Sequence, residues 1–226
     1  MITQCPRPTC RLQFDVPEDR MGKNGPCPSC GQVITYRSFV YLQELERRRA
    51  ARTPQHNPPE NFDPAKVPFQ AVLEDIRSLW NVGSIFRTSD AAGIGYLHLC
   101  GITGCPPRKE IAKTSLGAEE HVPWSYHTTA LEILPRLKQS GVKLIALEQT
   151  ETSTLWDDAA ARGVFKAPVC MIVGNEVAGI SAETLSQCDH IFHLPMSGVK
   201  VSLNVAVAFG IAAYSAVAAM KKAPAS

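Results

Sequence analysis

The chain has 226 residues, 45% of them hydrophobic and 19% charged, with a formal net charge of +2. That is enough apolar material for one ordinary domain and a small extra module. So small a net charge excludes a histone-like polycation, and what excess exists lies in residues 1–66, which hold 10 Lys and Arg against 7 Asp and Glu.

Residues 1–35 read as a zinc ribbon. Cys5 and Cys10 form one close pair and Cys27 and Cys30 a second. Two thiolate pairs on two tight turns make a tetrahedral set for one metal ion. Pro6, Pro8, Pro26 and Pro28 stiffen the turns, and Gly25 and Gly31 let the backbone bend. So short a segment buries too little surface to fold alone, so the metal supplies folding energy. A redox Cys27-Pro28-Ser29-Cys30 is the alternative that the second pair argues against. Zinc and iron are not separable from the sequence. The segment resembles short zinc-ribbon modules with Phe-x-Val-Pro between the pairs, here Phe14, Val16 and Pro17, but its first knuckle is C-x4-C where C-x2-C is usual. Cys100, Cys105, Cys170 and Cys188 stand singly and are expected to be inert thiols.

Residues 36–66 are expected to be a basic helix and a linker. The helix runs from Ser38 to Ala51 on Phe39, Leu42 and Leu45. Arg47, Arg48 and Arg49 in its last turn suit the helix dipole, or contact phosphate. Pro54, Pro58, Pro59, Pro64 and Pro68 keep the linker extended.

From residue 67 to 226 strands and helices alternate. Strands are predicted at 69–73, 96–100, 122–126, 142–147, 169–173 and 191–194. Helices are predicted at 82–92, 129–140, 182–187 and 202–220. This is an α/β domain with a mainly parallel sheet. Val201 to Met220 is uncharged and long enough to span a bilayer, but its Ala, Ser, Gly and Asn content makes it a core helix. With no membrane span and a Cys-Pro cluster where an apolar leader would stand, the expected compartment is the cytoplasm.

Two glycine patterns are decoys. Gly174 and Gly179 have P-loop spacing, but Ile180-Ser181 follow where Lys-Ser/Thr is required. Gly93-Ile94-Gly95 follows a helix and lacks the third glycine of a dinucleotide site. The histidines show no metal-ligand spacing.

Three blocks carry the chemistry: Asn81-Val82-Gly83-Ser84-Ile85-Phe86-Arg87-Thr88, Gly174-Asn175-Glu176-Val177-Ala178-Gly179 and Ser202-Leu203-Asn204-Val205. Each follows a predicted strand, and ligands of parallel sheets bind outside the carboxyl ends of strands. In this order they resemble the three signature motifs of the SpoU (TrmH-like) class of SPOUT RNA methyltransferases. The resemblance covers roughly residues 69–220 and implies a SPOUT-type sheet with a C-terminal trefoil knot. It implies methyl transfer from S-adenosylmethionine to a ribose 2′-hydroxyl of transfer or ribosomal RNA, by a homodimer.

The resemblance also implies the site. Arg87 becomes the catalytic arginine. Because guanidinium keeps its proton, its role is to bind the adjacent phosphate and stabilise developing alkoxide, the proton leaving to phosphate oxygen or water. Asn81, read from the residues as a helix cap, joins Glu176, Ser202 and Asn204 in the catalytic set. Glu176 organises the loops or the substrate, with a cap for the helix after Ser181 as the alternative for its loop. Leu147, Gly174, Leu194, Met196 and Leu203 would line the methyl-donor pocket. Arg108, Lys109 and Lys113, in a loop before Ser115, are available to RNA. The ribbon and basic helix stand where many family members carry a substrate-binding domain; they select the RNA or dock a protein. A catalytically silent RNA-binding factor on the same fold is the alternative function.

Overall fold

The computed structural model describes residues 1–5, 7, 9–40, 42–43, 62–166 and 168–222. Two antiparallel hairpins open the chain: β1 (Ile2–Gln4) pairs with β2 (Gln13–Asp15), and β3 (Asn24–Pro26) with β4 (Val33–Thr35). They enclose a small core of Cys5, Val16, Cys27, Ile34 and Tyr36. The basic helix begins as expected, with the Leu42 amide donating to the Ser38 carbonyl at 2.9 Å. Arg47 to Arg49 and most of the proline linker lie outside the described residues. The linker's end is a short 3-10 turn, Pro64–Lys66, capped by the Asp63 side chain.

The second unit is a seven-stranded, wholly parallel sheet. Its elements in chain order are β5 (Phe69–Glu74), α1 (Leu79–Ala92), β6 (Tyr96–Cys100), α2 (Lys109–Ser115), α3 (Ala118–His121), β7 (Trp124–His127), α4 (Leu134–Gln139), β8 (Lys143–Leu147), β9 (Thr154–Leu155), α5 (Asp158–Ala161), β10 (Val169–Val173), α6 (Ala182–Leu185), β11 (His190–His193) and α7 (Val205–Lys222). The strand order is β7-β6-β5-β10-β8-β11-β9. All pairs are parallel.

The apolar runs follow from burial on both faces. Along β10, Val169, Met171 and Val173 face a core with Ile85 and Phe86 of α1 and Phe209, Ala212 and Ala213 of α7. Cys170 and Ile172, pointing the other way, join Leu134 and Leu137 of α4. The result is a helix–sheet–helix sandwich. Burial raises the Cys100 and Cys170 thiols well above the usual value, and that of Cys188 to about 12, so these are inert at neutral pH.

Several boundaries differ from expectation. The helix α1 starts at Leu79, one turn before Val82, and its N-cap is Ser78, whose hydroxyl accepts the Asn81 amide at 3.3 Å. Asn81 is therefore inside the first turn rather than the cap, and Arg87 falls in the third turn. Both serine and asparagine satisfy free amide groups, so sequence alone does not choose between them. The region before Ser115 is the helix α2, not a loop. The helix expected over 129–140 divides into a 3-10 turn, Ala130–Glu132, and α4, and the chain leaves it through Gly141 at φ 78°. The helix α7 starts at Val205, so Ser202 and Leu203 precede it. Rather than being buried all round, it packs one face, with Phe209, Ala212, Ala213 and Ala216, into the core and leaves another exposed; among the described residues no helix is long and apolar enough to cross a membrane.

Candidate active site and metal centre

The carboxyl ends of β8, β10 and β11 open into a cleft of about 360 Å³. Small-molecule sites typically occupy roughly 300–1,000 Å³. Leu147, Gly174, Leu194, Met196 and Leu203, the five residues expected to hold a methyl donor, all line it. So do Glu176, Ser202 and Asn204. The site forms here because β10, β8 and β11 are neighbours in the sheet, so the loops that leave their carboxyl ends meet.

Three of the expected catalytic residues form one hydrogen-bonded chain. The Asn204 amide donates to Asn81 Oδ1 at 3.0 Å, and the Asn81 amide donates to Glu176 Oε1 at 2.9 Å. Asn204 is also the cap of α7, its Oδ1 accepting the amides of Ala206 and Val207 at 2.9 and 3.3 Å. The Glu176 carboxylate accepts the main-chain amides of Arg77 and Ser78 at 2.8 and 3.0 Å. Its partial burial works to raise the carboxyl pKa, but these amides and that of Asn81 hold it below the ordinary carboxylate range. Glu176 is thus a fixed anion that locks the 174–179 loop onto the start of α1. The alternative, that this loop caps the following helix, is wrong: Ser181 caps α6 itself, its hydroxyl accepting from Thr184 at 3.3 Å.

Gly174 answers to its own loop. A side chain there would stand 2.4 Å from the Gly179 carbonyl carbon and from the Ile180 nitrogen. Asn175, buried, ties the loop down: its amide donates to the Asp75 carbonyl at 2.8 Å, and its Oδ1 accepts the amides of Val177 and Ala178.

Ser202 lines the cleft but makes no hydrogen bond with any described residue. Arg87 is exposed on α1 and does not line the cleft. It has no hydrogen bond or ion pair with the described residues, which leaves its guanidinium available to an anion. Several lining residues escaped the motifs, Glu148 and Gln149 among them. Glu148 accepts the Ile180 amide at 2.9 Å, and Gln149 follows it. Their signal was position: they directly follow a parallel strand.

The four N-terminal cysteines converge, every sulfur within 4.8 Å of the others. Cys5 Sγ to Cys30 Sγ and Cys10 Sγ to Cys27 Sγ are each 3.7 Å. Zinc–thiolate bonds of about 2.3 Å set a tetrahedron edge of about 3.8 Å, whereas a disulfide needs about 2.05 Å. The donor set therefore fits a tetrahedral ion. The residue after each pair turns left-handed, Arg11 at φ 49° and Gly31 at φ 71°. The first pair thus ends on the same left-handed turn as the second, but with a non-glycine residue in that region.

The model of the SpoU rRNA Methylase family matches residues 68–214. The chain belongs to the SpoU family. It is 30% identical over 152 residues to a putative TrmH family tRNA/rRNA methyltransferase, YacO, of Bacillus subtilis, an alignment covering 65% of this chain and 57% of that protein. It is 31% identical over 158 residues to the 23S rRNA (guanosine-2′-O-)-methyltransferase RlmB of Ralstonia nicotianae, covering 70% and 61%. The chain thus spans about three fifths of these curated relatives. Among solved structures, the AdoMet-bound rRNA methyltransferase of Sinorhizobium meliloti superimposes with a TM-score of 0.65 at 26% identity, covering 72% of this chain and 60% of that one. The SpoU match starts after the four-cysteine unit, which is an addition to the family domain.

Proposed function

We propose that this SpoU protein transfers the methyl group of S-adenosylmethionine to a ribose 2′-hydroxyl of RNA. The observation that carries the proposal is the convergence of all three motifs: Asn81 is hydrogen-bonded to both Glu176 and Asn204, which line one cleft. When bound, the donor supplies an electrophilic methyl on a positively charged sulfur. The apolar side chains of Leu147, Leu194 and Leu203, with Met196 and the side-chain-free Gly174, would hold it. Glu176 keeps the 174–179 loop and the first turn of α1 in one arrangement. Arg87 would bind a phosphate beside the target ribose and stabilise the alkoxide as it forms. The proton passes to phosphate oxygen or water, since guanidinium does not accept one. Ser202, exposed at the mouth, would touch the RNA. We place the reaction in the cytoplasm, where donor and RNA meet.

Further parts of the proposal rest on separate observations. Zinc at Cys5, Cys10, Cys27 and Cys30 is supported by the 3.7 Å sulfur spacings. A homodimer is supported by Val207, Ile211 and Tyr214, spaced to share one face of α7 and each about half exposed. A C-terminal trefoil knot is proposed on the resemblance to SPOUT enzymes alone.

The test is transfer of labelled methyl to total cellular RNA, with Arg87→Ala beside wild type and fractionation by RNA size. Label from wild type alone, resistant to alkaline cleavage at the modified nucleotide, is the expected result and distinguishes transfer from ribosomal RNA. Donor binding with no labelled fraction would replace the proposal by a catalytically silent RNA-binding factor.

A further inference from the structure

The cysteine module and the SpoU domain meet at a buried ion pair. Arg37, just beyond β4, places Nη1 3.2 Å from Asp75 Oδ2, with the two side chains 9% and 2% exposed. Asp75 follows Glu74, also buried, and the charges of Arg37 and Glu74 both act on the carboxyl of Glu183. A cation from the N-terminal module is thus set among carboxylates of the other unit, where an unpaired charge is costly.

Asp75 is a demanding residue to hold. It is a non-glycine at φ 56°, a conformation that persists only when its surroundings impose it. Its amide donates to the Cys100 carbonyl, its Oδ1 accepts the Ile102 amide at 3.0 Å, and its carbonyl accepts the Asn175 amide at 2.8 Å. The next residues, Arg77 and Ser78, carry the amides that hold Glu176. A second contact braces the same place: Thr35 Oγ1 accepts the Ala182 amide at 3.0 Å, while the adjacent Ser181 is held by Glu74.

We infer that Arg37 is a positioning residue for the methyl-transfer site, acting through Asp75 on the turn that presents the Arg77 and Ser78 amides to Glu176. The four-cysteine module is then a built-in part of the active-site scaffold. This inference rests on the methyltransferase proposal for its consequence, but its structural core stands apart from it. An N-terminal module that only docked RNA would need no buried cation against the catalytic unit.

The experiment uses the full chain with Arg37→Met and two readouts. Hydrogen exchange at the Arg77 and Ser78 amides needs no donor, and titration with S-adenosylhomocysteine reports the cleft. Exchange and donor dissociation constant are both expected to rise about tenfold, with metal content and fold retained, since small misplacements at a site carry losses of this order. Replacing Asp75 by Asn in the same chain removes the stranded charge and should recover part of the loss. Unchanged exchange and affinity in a folded Arg37→Met protein, with only the KM for RNA raised, would overturn the inference in favour of an RNA-docking module. Absence of donor binding by wild type would overturn the donor site alone, leaving the exchange result to decide the brace. If Arg37→Met does not fold, Arg37→Gln, which keeps an N–H donor for Asp75, carries the same test with an expected rise of about threefold; wild-type exchange there overturns the brace.

Discussion

Asn81 and Glu176, 95 residues apart in the chain, are joined by a 2.9 Å hydrogen bond from the Asn81 amide to Glu176 Oε1. This contact fastens the first signature block to the second. Asn204 extends it to the third, so these polar residues of the three blocks are first of all partners of one another.

Replacing Glu176 by Gln puts an NH₂ group where three N–H donors converge. The expected cost is about 1 kcal/mol, at the low end because the side chain is exposed. The folded carboxyl lies below its usual value of 4.5, so its stabilisation is fully present above about that pH and is lost as the pH falls through the folded pKa. Thermal melts from neutral to acidic pH should show wild type and variant converging at the acid end. A gap independent of pH would contradict this role.

Gly174→Ala forces a methyl against the backbone of Gly179 and Ile180, which unlike a flexible side chain does not move aside. Overpacking of this kind costs about 1–3 kcal/mol. Denaturant melts should show that loss, and donor titration should show weaker binding. Wild-type affinity would mean the 174–179 loop is more compliant than its hydrogen bonds indicate.

Arg87 has no partner among the described residues, so removing it should barely touch the fold. Arg87→Ala is expected to stay within about 0.5 kcal/mol of wild type, as exposed substitutions do. Its methyl-transfer rate should fall by about 100-fold, in line with the loss of one oxyanion donor. Arg87→Lys should recover little of that rate, because a point charge does not replace a planar fork. Equal activity of the lysine variant would rule out a specific guanidinium role.

Metal analysis of the purified chain should find about one zinc, by the ligand set of four thiolates. Cys27→Ser should lose it, along with the packing of Val16, Ile34 and Tyr36 on the cysteines. Iron in place of zinc would show as visible absorption. A metal-free wild type with free thiols would overturn the assignment.

Ile211→Glu places a charge in the middle of the exposed stripe of α7 between Val207 and Tyr214. Sedimentation should show a dimer for wild type and a monomer for the variant. A wild type that sediments as a monomer would leave the stripe without this explanation.

The α/β class, most of the strands and the two cysteine pairs can be read from the amino-acid sequence. These are local properties: runs of apolar residues buried on both sheet faces, breaks at glycine and proline, and ligands a few residues apart. Its errors were local too, such as the start of α1, where Ser78 and Asn81 compete for one capping role. The pairing of distant residues comes from the folded chain alone. Nothing in the local pattern sets β10, β8 and β11 side by side, and that order brings their three loops to one cleft. Nothing near Asn81 announces Glu176 and Asn204, nor does the first module announce Arg37 against Asp75, 38 residues on. Such bonds depend on how the strands are ordered and the turns close, and a hydrogen bond between side chains so far apart leaves no periodic trace in the chain that makes it.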